Sequence, residues 1–177
     1  KYGGYPRVIL AGSREEKITI LQEIFQSYLE KDIMLLLRIE KSEAFTNLVR
    51  VLAAQTGNLI NFAGLAGNLG LNLKTLQKYL FYLEKTYIIS LIKPFFTNVR
   101  KELRKSPKIY FLDLGFLRLA KGQLTQTFNE PGGDIWENAC YLRLKELNLL
   151  DSIHFWRSTS GAEVDFIINS PKTGKPI

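Results

Sequence analysis

The stretch from Asn58 to Ile92 constrains the fold most, because it holds two successive helix caps and then a change of hydrophobic period. Asn61 can cap a short helix from Phe62 to Leu69, its side-chain oxygen accepting from an orphan backbone N–H of the first turn. Gly70 is suited to the left-handed conformation that ends such a helix, and Leu71 leads directly to a second cap, Asn72. From there Leu73, Leu76, Leu80, Leu83 and Tyr87 recur every three or four residues. That spacing predicts a helix with one buried stripe, while Lys74, Gln77, Lys78, Tyr82 and Lys85 fall on the other side. Tyr87 to Ile92 is then a β-branched and aromatic run closed by Lys93-Pro94, which predicts a strand. Two helices joined by a tight turn and followed by a strand read as a helix-turn-helix with the start of a wing.

An αα-hairpin that only packs has the same pattern, and the charge distribution bears on the choice. The chain carries a formal net charge of +7. Residues 57–113 hold nine Lys/Arg against three Asp/Glu, whereas the segments on either side are close to balanced. A positive excess confined to the helix-turn-helix and wing is the footprint of a module that faces phosphate. Lys74, Gln77, Lys78, Tyr82 and Lys85 are the candidate nucleic-acid contacts on the second helix. Arg100, Lys101, Arg104 and Lys105 are those on the wing, where Lys108 adds a further cation.

At 177 residues and 46% hydrophobic content the chain can build one large or two small domains with a core. Its one cysteine, Cys140, excludes an intramolecular disulfide, fits a reducing cytoplasm and is expected as a small buried residue. One histidine, His154, rules out a Cys/His zinc site, and its expected role is at the hairpin surface or in packing rather than in catalysis. No apolar run reaches the length of a membrane span and no signal peptide opens the chain, so no membrane partner is expected. The chain starts on Lys1 without an initiator Met and stops at Ile177 soon after a turn, so it reads as a fragment.

Upstream of Asn58, Tyr2-Gly3-Gly4-Tyr5-Pro6 and Arg7 to Leu10 read as a turn-rich lead-in. Ser13 and Glu16 form a capping box for a long amphipathic helix reaching about Glu40. Ser42 to Thr56 is a further helix, with Phe45, Leu48, Val49, Leu52 and Ala53 on one stripe. Downstream of the wing, Ile109 to Leu112 is the return strand and Phe116 to Lys121 a short helix. Gly122 to Gly133 is a polar linker, Ile135 to Glu146 a helix, and Ser152 to Arg157 with Ala162 to Ile168 a hairpin. The division is therefore 1–41 lead-in and long helix, 42–121 winged-helix module, 122–133 linker and 134–177 second module.

Glu137 on the last helix, with Asp165 and Glu163 on the hairpin, forms the one carboxylate constellation that could bind a divalent cation for phosphodiester hydrolysis. Plainer roles are open to each. Glu137 stands three residues after Asp134 and could complete a capping box, and Glu163 and Asp165 could line the wet side of the hairpin opposite Val164, Phe166 and Ile168. The run from Gly67 to Lys74 is not a phosphate-binding P-loop, since Leu73 stands where the glycine before the lysine is needed.

Several of these segments together carry a family resemblance. They are Gly3-Gly4-Tyr5-Pro6, Tyr28 to Ile33, Leu76 to Glu84, Lys108 to Gly115, Trp136-Glu137-Asn138, and Trp156 to Phe166. In order and spacing they are similar to the domain of unknown function that follows the AAA ATPase module in many archaeal and bacterial ATPases. The resemblance implies an α+β fold: a helical N-terminal part with a winged helix-turn-helix, followed by a truncated restriction-endonuclease-like α/β module. In that module, similar to PD-(D/E)xK nucleases, Glu137 and Asp165 match the helix and strand carboxylates that hold Mg²⁺ and would be the catalytic and metal positions, with Glu163 beside them. The strand carrying Asp/Glu-x-Lys would begin where the chain stops, so the fragment itself is expected to be inactive. No Walker motif is present, so ATP would bind only to the ATPase module, which together with DNA is the expected partner. The rival function is protein docking on that ATPase without DNA.

Overall fold

The computed structural model describes residues 2–29, 33, 38–95, 106–124, 132–147, 153–158 and 160–168. Helices and two small antiparallel sheets make it an α+β chain. The helices are α1 (Pro6–Leu10), α2 (Arg14–Gln26), α3 (Ser42–Ala54), α4 (Phe62–Asn68), α5 (Leu73–Lys85), α6 (Leu114–Ala120) and α7 (Gly133–Glu146). β1 (Ile89–Ile92) and β2 (Lys108–Phe111) lie between α5 and α6, and β3 (Ile153–Arg157) and β4 (Glu163–Ile168) follow α7.

The caps form as the sequence predicts. Asn61 accepts from the Gly64 N–H at 3.0 Å, and Asn72 accepts from the Thr75 N–H at 2.7 Å. Each fills one orphan donor of a helix start, a contribution of about 1 kcal/mol. Gly70, at φ 60°, makes the turn between α4 and α5. Ser13 caps α2 through the Glu16 N–H, while the Glu16 carboxylate reaches Gly12 N one residue before the expected box partner.

Two expectations on the N-terminal side need correction. The lead-in contains a helix, α1, because Pro6 sits at the first helical position, where its missing N–H costs nothing. The long helix does not run on to Glu40 as one α-helix: α2 ends at Gln26, residues 27–29 and 33 are π-helical, and Arg38 at φ 48° lies outside any right-handed helix. Residues 30–32 and 34–37 of that expected helix lie outside the described residues.

The main core joins α2 to α6, and its fully buried side chains include Leu21, Phe45, Leu48, Leu52, Leu76, Leu83 and Phe116. Each such side chain contributes about 1.5–3 kcal/mol through its removal from water. β1 and β2 pair with Ile89 opposite Phe111 and Ile92 opposite Lys108. β2 has a second neighbour, since Gly57 N donates to Ile109 O at 2.9 Å and Ile60 N to Pro107 O at 3.0 Å. The segment between α3 and α4 therefore lies along the other edge of β2, which explains why all four β2 residues are buried.

The second sheet is tied to the first. Phe95 N donates to Phe155 O at 2.6 Å, and Phe155 N to Lys93 O at 3.3 Å, so the chain leaving β1 runs parallel to β3. Ile92, Tyr110, Tyr141, Ile153 and Phe155 form a second, smaller core at this junction. The expected linker lies largely at residues 125–131, outside the described residues.

Candidate functional site

Lys108 opens β2 with a side chain only 3% exposed. Its aliphatic stem can be buried, but a buried ammonium needs acceptors for its three N–H groups. Three carboxylates supply them. Glu163 Oε1 lies 2.6 Å from Lys108 Nζ, Asp165 Oδ1 2.8 Å and Glu137 Oε1 3.2 Å. The Phe155 ring sits 5.7 Å below the same nitrogen, and the Tyr110 hydroxyl donates to Glu137 Oε1 at 2.5 Å.

Local structure explains the convergence. Glu163 and Asp165 are two apart on β4 and so project to one side, and both reach the ammonium. Glu137 stands on α7 one position before Asn138, which is fully buried and fixes that helix against β2. The Asn138 Oδ1 accepts from Phe111 N at 2.8 Å and from Thr56 Oγ1 at 2.9 Å, while its Nδ2 donates to Phe111 O at 2.9 Å. A side-chain amide thus continues the β2 edge where the segment at Gly57 leaves it. Gly57 itself, at φ 76°, is where the Glu137 carboxylate comes closest, and a Cβ there would stand 2.9 Å from Oε2.

Burial alone would lower the Lys108 pKa, but the hydrogen bonds to Asp165 and Glu163 and the charge of Glu137 outweigh it and raise it. Burial also raises the Tyr110 pKa, with its hydrogen bond to Glu137 adding to the effect. Both groups therefore stay protonated at neutral pH, and Lys108 is the cation of the cluster. Arg157 Nε is 3.8 Å from the other oxygen of Glu163. All three ammonium donors are used, and among the described residues no group of His, Cys, Asp and Glu is set out to hold a metal ion.

The second candidate surface is the outer side of α5. Lys74, Gln77, Lys78 and Lys85 are exposed there and Tyr82 is half-buried. Lys78 Nζ lies 5.6 Å from the Tyr82 ring centre, and Lys85 Nζ lies 5.6 Å from that of Phe81. Glu84, the one acid of α5, turns away and accepts from Leu91 N at 3.4 Å.

The structure thus brings Glu137, Glu163 and Asp165 together and sets Lys74, Gln77, Lys78, Tyr82 and Lys85 along one helix side. Arg100, Lys101, Arg104 and Lys105 lie outside the described residues. Lys108 does not belong to an exposed basic wing, because β2 is buried from both edges and three carboxylates meet its ammonium. Glu137 does not complete a capping box: α7 starts from Gly132 without a side-chain cap, and Asp134 pairs with Lys121. Cys140 is exposed rather than buried, because α7 turns Ile135, Asn138 and Tyr141 inward. Val164 remains 45% exposed opposite Trp156, so the apolar side of the hairpin is only partly covered, by Phe166 against Tyr110 and Tyr141. Sequence reasoning missed Phe81 and Asn138. Helical period alone could have placed Phe81, seven residues after Lys74, in the middle of the basic stripe.

A family described as a domain of unknown function (DUF8612) matches residues 1–127, more than two thirds of the sequence. The chain belongs to this family. The match runs from α1 through α6, so Lys108 falls inside it and the three carboxylates beyond it. Similar proteins include the uncharacterized protein Rv2008c of Mycobacterium tuberculosis, 28% identical over 177 residues, covering 98% of this chain and 40% of the relative. The uncharacterized protein MJ1544 of Methanocaldococcus jannaschii is 23% identical over 174 residues, covering 95% of this chain and 38% of that protein. An uncharacterized protein of Haemophilus influenzae is 28% identical over 128 residues, 70% of this chain and 32% of the relative. The chain spans less than half the length of these curated relatives. No solved structure matches it. Among the described residues no helix is long and apolar enough to cross a membrane.

Proposed function

We propose that this chain is the DNA-binding part of a larger AAA-type ATPase. In this reading α3, α4 and α5 with the β1–β2 hairpin act as a winged helix, and α7 with β3 and β4 is a nuclease-like part that does not cut. The observation that carries it is the outer side of α5, where Lys74, Lys78 and Lys85 are exposed while Glu84, the one acid of that helix, turns to Leu91 N. Lysines in that setting meet phosphate as point charges and gain from counterion release. The order of elements supports the reading: helix, short extended segment at 57–60, helix, tight turn, helix, hairpin, with the extended segment on the free edge of β2. The sequence between β1 and β2 also holds Arg100, Lys101, Arg104 and Lys105. The length of the relatives leaves room for an ATPase module outside the matched region.

The test is fluorescence anisotropy with a labelled DNA duplex at low and moderate salt. Binding weaker than about 10⁻⁶ M at physiological salt, and weakened further by Lys74→Ala with Lys78→Ala, is the expected result. Absence of binding at low salt contradicts it and favours docking on a protein surface.

The meeting of Glu137, Glu163 and Asp165 favours a second reading, a metal-dependent nuclease in the longer protein. A divalent ion held by those carboxylates would activate water, yet the oxygens that converge are satisfied by Lys108. DNA cleavage with Mg²⁺ or Mn²⁺ that is lost in Asp165→Ala would establish this reading over the non-cutting one.

A further inference from the structure

Phe81 is 53% exposed at the centre of the cationic side of α5. It lies four residues after Gln77, three after Lys78 and four before Lys85, so these three are its neighbours on the helix surface, and Lys74 lies one turn beyond them. Folding gives no reason for an aromatic there: the buried stripe of α5 is Leu76, Tyr79, Leu80 and Leu83 on the opposite side. The ring is also held, since Lys85 lies over one part of it and Phe81 and Tyr82 stand 6.1 Å apart at 54°.

We propose that Phe81 is a stacking platform for an unpaired nucleobase, and that the α5 surface therefore prefers single-stranded nucleic acid to duplex. The proposal rests on the nucleic-acid reading of α5 and sharpens its substrate class. In a duplex the faces of the bases are covered by their neighbours, and a side chain in a groove meets only their edges. A single strand offers faces, and each base stacked on an aromatic ring gains sequence-tolerant affinity. The lysines are placed to use the same strand. Lys74 to Lys85 spans eleven residues, about 16 Å along a helix axis, the length of roughly five stacked nucleotides. A base on Phe81 thus sits midway along a row of cations that tracks the backbone, the arrangement of aromatic and basic groups that single-strand binders share. A protein partner burying Phe81 would have to strip water from the lysines beside it, and Glu84, the one acid of α5, is turned away to Leu91 N.

The experiment compares a labelled oligothymidylate with a blunt duplex of equal length by anisotropy, using the intact chain, Phe81→Ala, Phe81→Trp and the Lys74→Ala/Lys78→Ala pair. Because Phe81 is half in solvent, all should keep the native circular dichroism and melting temperature. The expected result is tighter binding of the single strand by about tenfold, loss of about tenfold in Phe81→Ala for the single strand and less than twofold for the duplex. In Phe81→Trp, single-strand affinity returns, with quenching of the new indole on binding, which a merely structural ring would not show. Equal affinity for both DNAs with dependence on the lysines alone overturns the stacking role and leaves the DNA reading in place. No binding of either overturns both.

Discussion

Lys78 and Lys108 are the same residue type in the same basic segment, and the fold puts them to opposite use. Lys78 stands in water on α5, its ammonium over the Tyr82 ring, and Glu84, the one acid of that helix, is turned to Leu91 N. Lys108 lies under β3 and β4 with three carboxylates within 3.2 Å, and its charge is spent inside the molecule. An exposed lysine leaves its charge to a partner, while a buried one joins the elements that bring it acceptors. Here those elements are β2, α7 and β4, so Lys108 fastens the α7 and β4 side of the chain onto the hairpin that follows α5. Net charge counted along the sequence assigns both to one surface; burial separates them.

The contrast breaks first at Lys108. Lys108→Met leaves Glu137, Glu163 and Asp165 facing one another; because these carboxylates are partly in water, the cost falls at the low end of the range for breaking a buried pair, about 3 kcal/mol. Thermal unfolding should shift down by roughly 10 °C for a chain of this size. A loss under about 1 kcal/mol would mean that water, not Lys108, balances the carboxylates. Asn138→Ala comes next. It strips Phe111 N and the Thr56 hydroxyl of a buried acceptor and should cost about 2–3 kcal/mol in urea unfolding, with faster exchange of the Phe111 amide. An unchanged Phe111 amide would place the hold on α7 elsewhere.

Alkaline pH acts on the same cluster. The folded pKa values of Lys108 and Tyr110 are raised above their ordinary 10.5 and 10.0. A raised value means that the folded state holds the proton more tightly, so their contribution is full below pH 10 and is lost as pH rises through the folded values. Unfolding free energy should be level to about pH 9.5 and fall beyond it by about 1 kcal/mol or more per raised unit. In Lys108→Met with Tyr110→Phe the fall should flatten. The smallest stability effect is on α5, where Lys74→Ala with Lys78→Ala should change stability by less than about 0.5 kcal/mol. Its effect is on binding, where the slope of log K against log salt should flatten by about 1.8, the release from two phosphates.

Most of the architecture was legible because it is local. The caps at Asn61 and Asn72, the glycine turn at Gly70 and the Leu76/Leu80/Leu83 stripe are set by residues three or four apart, which periodicity reads directly. The carboxylate set was legible as residue types on a helix and a strand. What holds it together was not, because Lys108 stands 29 residues from Glu137 and 57 from Asp165, and no local pattern reports a contact at that distance. α1 escaped notice for the opposite reason: five residues are too short for a period, and only Pro6 marks its start. Phe81 was less legible than Tyr82 because its ring carries no polar group to mark it for the solvent side, and by residue type alone it resembles core.

The most direct test maps the two lysine environments in one sample. Amide ¹⁵N–¹H spectra of the intact chain titrated with a labelled oligonucleotide at low salt, with and without Mg²⁺, report every backbone position at once. The account predicts shifts centred on residues 74–85, with Lys108, Glu137, Glu163 and Asp165 unmoved in either condition. Shifts centred on those four residues that appear with Mg²⁺, with α5 unmoved, would contradict it and make the carboxylate cluster the surface that meets nucleic acid.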